Sequence, residues 1–169
     1  EASKGCDPPE NSKLKSDLGR WPHLMEKRIK SLDKMRDMVR KKNIKNDFDM
    51  LYIQSMEFYK EIGKKALETL KESDYYELCM YAENEKSFCH HDFTYHNIIL
   101  SDNMDVHVID FDYCKRELRT FDISNFMTKV LKRVDWNMDF AVAIMDTYNS
   151  VSKLKDEEYK VLFAYLEFP

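Results

Sequence analysis

The amino-acid sequence predicts an α+β fold that is mostly α-helical and carries one small β-hairpin. Apolar residues recur at three- and four-residue intervals through most of 21–71 and again through 121–167, the period of helices that bury one face. Between these stretches, two short apolar runs flank the polar segment 101–105, a pattern typical of a hairpin. At 169 residues the chain fits a single domain with a sizeable core.

The domain is predicted to span 21–169, because residues 1–20 are polar and turn-rich, as in a linker or an extended loop. Pro22 is compatible with the first turn of the first helix, where its missing N–H has no helical partner to lose. The charged segment 113–119 predicts a loop. The predicted helices, in chain order, are 21–42, 47–71, a shorter and less regular segment at 73–82, 121–133, 137–151 and 156–167.

The predicted hairpin brings two polar residues together. Residues 98–100 are predicted to form a short buried strand and 106–109 the returning strand. Asn97 precedes the first strand and Asp110 follows the second. An antiparallel hairpin therefore predicts that these two side chains are neighbours.

The charge composition gives no indication of a nucleic-acid partner. The net charge is −4, and basic residues alternate with acidic ones along the helices, as on solvated helix faces. No apolar run approaches the roughly 20 residues of a membrane-spanning helix, so no membrane association is expected. The four cysteines form no CxxC pair, which favours reduced thiols in a cytosolic protein.

The most specific pattern is His90-x-Asp92-x4-Asn97, followed by an apolar run that ends at Asp110. A phosphoryl group in transfer carries negative charge spread over its oxygens, so the reaction depends on positioning and charge neutralisation. Asp92 can orient and deprotonate an acceptor hydroxyl, while Asn97 and Asp110 can hold the Mg²⁺ ions that bridge ATP phosphates. The pattern therefore indicates phosphoryl transfer that depends on Mg²⁺ and ATP.

Other roles for polar residues of this region remain open. Asp112 is predicted either to assist metal binding or to cap the loop. His90, His91 and His96 could instead form a zinc cluster, although consecutive side chains of an extended segment point in different directions. Cys89 is expected to be a small buried residue, because no base is marked as its partner.

Residues outside the motif add to a family resemblance. They are Ser3-Lys4-Gly5, Pro8-Pro9, Ser12-Lys13, Leu18-Gly19-Arg20-Trp21-Pro22, Cys89-His90, Ile109-Asp110-Phe111-Asp112-Tyr113-Cys114, Phe121-Asp122-Ile123 and Phe168-Pro169. With the motif, the chain resembles the aminoglycoside phosphotransferase and choline kinase superfamily, which shares the protein-kinase fold. More narrowly, it is similar over nearly its whole length to the spore coat protein S family of endospore-forming bacteria.

The resemblance implies that the chain is the C-terminal lobe of a protein-kinase-like fold. The lobe that makes most nucleotide contacts would precede residue 1, and both chain ends look truncated. By the same resemblance, Asp92 is the catalytic base, Asn97 and Asp110 are metal ligands, and His90 braces the catalytic loop by hydrogen bonding.

Two further residues of the loop region follow from the resemblance. Asp122 is expected to anchor the catalytic loop from the start of a helix. Relatives commonly have Gly where this chain has His91, so the loop backbone there must suit a side chain.

Two functions follow from the resemblance. The first is a kinase that transfers the γ-phosphate of ATP to a hydroxyl, in the mother-cell cytoplasm or on the spore coat. The second is a non-catalytic component that uses the kinase-like fold as an assembly surface for other spore coat proteins. No pattern identifies the acceptor, so a sugar, an amino alcohol, an amine sugar and a protein hydroxyl all remain open.

Overall fold

The computed structural model describes residues 14–169, in which six α-helices predominate. The prediction of a mostly helical α+β fold with a small hairpin is confirmed. The helices are α1 (Trp21–Arg40), α2 (Asp47–Lys71), α3 (Tyr75–Asn84), α4 (Arg119–Arg133), α5 (Met138–Val151) and α6 (Asp156–Glu167). The strands are β1 (Lys15–Ser16), β2 (Ile98–Leu100), β3 (Val106–Val108) and β4 (Lys115–Arg116), and 3₁₀ turns occupy Tyr95–Asn97 and Phe111–Tyr113.

The bounds of α2 agree with the prediction because the sequence encodes its start. The Asn46 side chain accepts a hydrogen bond from the Asp49 N–H at 2.9 Å, and the Asp49 carboxylate accepts one from the Asn46 N–H at 3.2 Å. This capping box satisfies two backbone donors that the first turn leaves free. Helix α1 ends two residues before its predicted end, and α3 is a regular ten-residue helix where the sequence suggests only a less regular segment.

Helices α1, α2, α3 and α6 enclose one apolar core. The buried Tyr75 hydroxyl accepts a hydrogen bond from the Trp21 N–H at 3.2 Å, which joins α3 to the start of α1. Gly63 allows α2 to approach α1, because a Cβ at this position would lie 3.2 Å from the Ile29 Cγ1. The other buried residues of this core are Met25, Leu67, Leu70, Cys79, Ala82, Leu118, Val161, Ala164 and Tyr165.

Helix α4 is fixed against α6 by a paired ionic contact. Arg119, the first residue of α4, donates from Nε and Nη2 to the two carboxylate oxygens of Glu158 at 2.7 and 2.6 Å. Such two-point pairs restrain orientation as well as distance. A second apolar cluster continues along α4, α5 and α6 with the buried residues Ile123, Met127, Leu131, Ala141, Leu154 and Leu162.

The hairpin β2–β3 is exposed. Its strands pair antiparallel, with Ile98 opposite Val108 and Leu100 opposite Val106. The expectation of a buried first strand is wrong, since Ile99 and Leu100 are 48% and 57% exposed. Within residues 14–169 the two strands pair only with each other, so no third strand extends this sheet.

A second small sheet joins two segments that the sequence predicts as loops. Strand β1 pairs in parallel with β4, placing Lys15 opposite Lys115. The backbone of Cys89 also bridges to Lys115, with N–O distances of 2.8 and 3.1 Å. Within the predicted extended segment 1–20, residues 15–16 therefore form a strand, and residues 1–13 lie outside the described part of the chain.

The cysteines of the described chain are free thiols. Cys79 and Cys89 are buried free thiols, and Cys114 is a half-buried one. Burial raises the pKa of Cys89, whose Sγ donates a hydrogen bond to the Leu118 carbonyl at 3.2 Å, so its expected role as a small buried residue is confirmed.

In the described chain, every helix is too short or too polar to cross a lipid bilayer.

Candidate active site

The loop from Cys89 to Asn97 is anchored by one carboxylate of α4. Asp122 lies in the first turn of that helix and accepts hydrogen bonds from the backbone N–H groups of His90 and His91, at 2.7 and 2.9 Å. Burial raises the pKa of Asp122, and these two hydrogen bonds partly offset the rise because they favour the carboxylate. A single side chain thus fixes two consecutive peptide groups directly before Asp92.

His90 connects this loop to the chain after β3. Its buried ring places Nε2 2.8 Å from the Ile109 carbonyl oxygen, which can only accept, so Nε2 carries the proton and donates it. The ring also packs against Phe111, with centroids 4.8 Å apart, and against Phe93 at 6.0 Å. This hydrogen bond joins His90, two residues before Asp92, to Ile109, the residue before Asp110.

Asp92 and Asn97 are in direct contact. The Asn97 Nδ2 donates to the Asp92 backbone carbonyl at 2.9 Å and to the Asp92 carboxylate at 3.2 Å. Both donations use the amide nitrogen, so the Asn97 Oδ1 is the atom left to bind a cation. The buried amide is held in this orientation by the 3₁₀ turn, in which the Asn97 N–H donates to the Thr94 carbonyl at 3.0 Å.

Asp110 reaches the same region through the backbone. The Ile109 N–H donates to the Asn97 carbonyl at 3.0 Å, so Asp110 follows a residue paired with Asn97. The Asp110 backbone is left-handed, with φ 64° and ψ 62°, and turns the chain sharply into the 3₁₀ turn that contains the exposed Asp112. Carboxylate and amide oxygens are the ligands that Mg²⁺ prefers, so this donor set fits a hard divalent cation.

His91 takes up the unusual backbone that a glycine would adopt readily. Its φ is +69°, in the left-handed region that a residue with a Cβ rarely occupies. Its ring stacks on Phe121, with centroids 4.3 Å apart and planes inclined by 22°. Burial lowers the pKa of His91 and the charge of Lys115 lowers it further, so the neutral imidazole is favoured. The chain therefore accommodates a side chain at a backbone conformation that favours glycine.

Sequence reasoning misses the polar residues beneath His91. Asp17 directly follows β1 and Glu117 directly follows β4, and their carboxylates come within 4.8 Å of the imidazole and of each other. Both residues are buried, at 7% and 0% exposure. Their sequence neighbourhoods are polar and turn-like, so only the long-range pairing of β1 with β4 reveals them.

This cluster resembles a metal site in composition but is already occupied by a protein cation. The Asp17 Oδ2 that lies 3.7 Å from the His91 Nε2 also accepts a hydrogen bond from the Lys115 ammonium at 2.8 Å. A divalent cation would have to displace that ammonium or share its oxygen against charge repulsion. The zinc cluster suggested for His90, His91 and His96 is not among the groups of ligand atoms that converge in residues 14–169.

Glu117 is the most deeply buried carboxyl group of this region. Its Oε2 accepts from the Trp21 indole at 2.6 Å and its Oε1 from the Leu118 N–H at 2.8 Å. Burial raises its pKa from 4.5 to about 7, although both hydrogen bonds act in the opposite direction. Glu117 thereby connects the start of α1 to the strand that adjoins Cys89.

Comparison with known proteins agrees with this geometry. The family described as "Spore coat putative kinase YutH" matches residues 3–169. The chain belongs to this family. Spore coat protein S of Bacillus subtilis (strain 168) is 28% identical over 174 residues, which cover 99% of this chain and 48% of that protein. The chain therefore spans about half the length of this curated relative.

A solved structure shows the fold. An aminoglycoside phosphotransferase from Alicyclobacillus acidocaldarius subsp. acidocaldarius DSM 446 superposes with a TM-score of 0.75. The match covers 88% of this chain and 45% of that chain, at 24% sequence identity. The predicted kinase-like fold and the resemblance to the spore coat protein S family are confirmed.

Proposed function

We propose that this protein takes part in phosphoryl transfer from Mg²⁺-bound ATP to a hydroxyl group, in association with the spore coat. The observation that carries the proposal is the contact between Asp92 and Asn97, in which the amide nitrogen faces the carboxylate and leaves the amide oxygen available. The backbone hydrogen bond between Ile109 and Asn97 also brings the next residue, Asp110, close to Asn97. Its carboxylate would be a second oxygen ligand.

Each residue has a defined part in this reaction. The acceptor hydroxyl gives its proton to the Asp92 carboxylate as its oxygen bonds to the γ-phosphorus, and the bond to the β-phosphate oxygen breaks to release ADP. Asn97 Oδ1 and the Asp110 carboxylate would hold the cation, with Asp112 as a further carboxylate close by in the chain. Bound Mg²⁺ supplies charge neutralisation at the phosphates. His90 and Asp122 keep the loop in place through their hydrogen bonds to its backbone and to the Ile109 carbonyl.

The family and the relative from Bacillus subtilis support the location. The family description and the name of the Bacillus subtilis relative both refer to the spore coat. We infer that the protein acts in the mother cell or on the coat, alongside other coat proteins.

A thermal-shift titration of the full-length gene product tests this proposal. Mg²⁺ and ATP at about 100 times the dissociation constant should stabilise the protein by about 2.7 kcal/mol. Asp110→Asn should abolish the magnesium-dependent part of the shift, because an amide oxygen lacks the ligand's charge. Asp146→Asn, on the exposed side of α5, is the matched control and should retain it. Equal shifts in both variants would contradict the proposed site.

One observation favours the second function, a non-catalytic assembly surface. Large apolar side chains are exposed on the α1–α2 pair, including Ile44 at 88% and Phe48 at 70%. Contiguous exposed apolar surface often marks a protein interface. No thermal shift with Mg²⁺ and ATP in the unsubstituted protein would favour this function over phosphoryl transfer.

A further inference from the structure

We propose that Asp17, on the strand β1 side of the molecule, is a positioning residue for the catalytic loop and acts through His91. The inference rests on the proposed function, since it concerns the loop that carries Asp92. It assigns a role in that reaction to a segment near the start of the described chain, far in sequence from the motif.

The β1–β4 sheet sets the position of Asp17. Strand β4 is paired with β1 and is bridged to Cys89, the residue that begins the loop. The Asp17 N–H donates to the Arg116 carbonyl at 3.0 Å, which extends this pairing by one residue. Asp17 is therefore held by backbone contacts next to the loop.

The carboxylate of Asp17 is oriented by two cations. Its Oδ1 accepts from the Arg20 Nη1 at 2.9 Å and its Oδ2 from the Lys115 Nζ at 2.8 Å. Burial alone would raise the pKa of Asp17, but the hydrogen bond and charge of Lys115 outweigh it and lower the pKa. A fixed anion thus lies 3.7 Å from the His91 Nε2.

His91 is the residue through which this anion can act. Its Nε2 is buried and has no hydrogen-bond partner at normal distance within the described chain, while its ring is stacked on Phe121. The Asp17 Oδ2 faces this nitrogen across a gap slightly wider than a hydrogen bond, and it favours the ring form that carries its proton on Nε2. Attraction across this gap favours the ring position seen here.

The ring position matters because the backbone of His91 is strained. A left-handed backbone is unfavourable for a residue with a Cβ, so it persists only when its surroundings hold it. Phe121 holds one face of the ring, Asp122 holds the N–H, and Asp17 lies at the ring's far end. Relaxation of His91 would rotate the next peptide group, which carries Asp92.

A double-mutant cycle in the full-length gene product tests this route. Asp17→Asn removes the charge and keeps the size, and it should lower kcat roughly tenfold with KM for ATP little changed, because small misplacement of a catalytic group lowers the rate of the chemical step. In a His91→Gly background the same substitution should change kcat by less than roughly twofold, since glycine adopts a positive φ without support. Lys15→Gln, an exposed charge change on the same strand, is the control and should have no effect in either background.

Two results of this cycle would overturn the inference. An equal loss of kcat in both backgrounds would mean that Asp17 acts by another route, such as docking of β1. An unchanged kcat in Asp17→Asn alone would mean that it positions nothing.

A measurement independent of activity separates this inference from the proposed function. In NMR spectra of the protein, Asp17→Asn should shift the imidazole nitrogen resonances of His91 and the amide resonance of Asp92, whereas Lys15→Gln should shift neither. If the unsubstituted protein transfers no phosphoryl group but these shifts occur, the proposed function fails and the positioning contact stands. Unchanged resonances would refute the contact whatever the activity.

Discussion

The side-chain nitrogen of Asn97 donates to both the backbone carbonyl and the carboxylate of Asp92, at 2.9 and 3.2 Å. One amide thus closes the loop between these two residues and turns its own oxygen away from Asp92. The loop geometry and the proposed cation site therefore depend on the same side chain.

Asn97→Ala should weaken cation binding and loosen the loop together. The substitution removes one oxygen ligand and two hydrogen bonds, so we expect Mn²⁺ affinity in the presence of ATP to fall roughly tenfold or more. Mn²⁺ prefers the same oxygen ligands as Mg²⁺, and its binding is measurable by paramagnetic relaxation. Asn103→Ala, in the exposed turn of the hairpin, is the control. Equal affinity in the two variants would be inconsistent with Asn97 as a ligand.

Asp122→Asn should release the loop from α4. The amide offers one acceptor and one donor where two backbone N–H groups now donate to two oxygens, so one N–H is left facing another donor. We expect a loss of unfolding free energy of about 1–3 kcal/mol, the cost of an unsatisfied buried group. Hydrogen exchange should accelerate at the amides of His90 and His91 more than in α2. Unchanged exchange at both amides would show that the anchor is dispensable.

Glu117→Gln should remove a pH dependence of stability. The pKa of Glu117 is about 7 in the folded protein against 4.5 for the free group, so its protonated form favours folding. Its contribution is fully present below about pH 4.5 and is lost as the pH rises through 7. We expect the difference in unfolding free energy between the two proteins to change by on the order of 1 kcal/mol per pH unit across this window.

Urea unfolding at several pH values measures that difference. Asp17, whose pKa is lowered, contributes in the opposite sense, because its stabilisation is lost as the pH falls. Across the Glu117 window the Asp17 contribution stays nearly constant, because the pKa of Asp17 is 3.8 for the free group and is lowered further in the folded protein. A difference that is constant with pH would contradict the raised pKa.

Leu70→Ala should test the core between α2 and its neighbours. Leu70 is fully buried, and loss of its side chain leaves a cavity, so we expect a decrease in unfolding free energy of about 2–5 kcal/mol. Leu51 lies on the same helix and is 61% exposed, which makes Leu51→Ala the matched control with an effect within about 0.5 kcal/mol. Chemical unfolding monitored by circular dichroism compares the two.

Local signals account for the parts of the fold that the sequence predicts. Helix α2 is predicted with its observed bounds because the capping box at Asn46 and the apolar stripe act within the helix itself. The hairpin is predicted because a polar turn separates two short apolar runs. The hairpin predicts that Asp110 lies beside Asn97, and a backbone hydrogen bond joins Asn97 to Ile109, the residue before Asp110.

The features that the sequence does not predict depend on distant contacts. Strands β1 and β4 are two residues long, and the paired residues are 100 positions apart in the chain. The side-chain contact between Lys115 and Asp17 likewise spans 98 positions. No local pattern marks such strands, so Asp17 and Glu117 escape notice. The exposure of Ile99 is likewise set by which elements surround the hairpin, a property that strand periodicity does not encode.

The anchoring of the loop by Asp122 also orders events during synthesis. The backbone N–H groups of residues 90 and 91 donate their hydrogen bonds to a side chain 32 and 31 positions later in the chain. A ribosome has therefore translated past the motif, and α4 has formed, before those peptide groups can take their final orientation. Helices α1 to α3 need no such delay, because their contacts with one another lie within the segment already made. The core that these helices share with α6 still waits for residues 156–167, so the core and the loop both reach their final form only after translation has passed the motif.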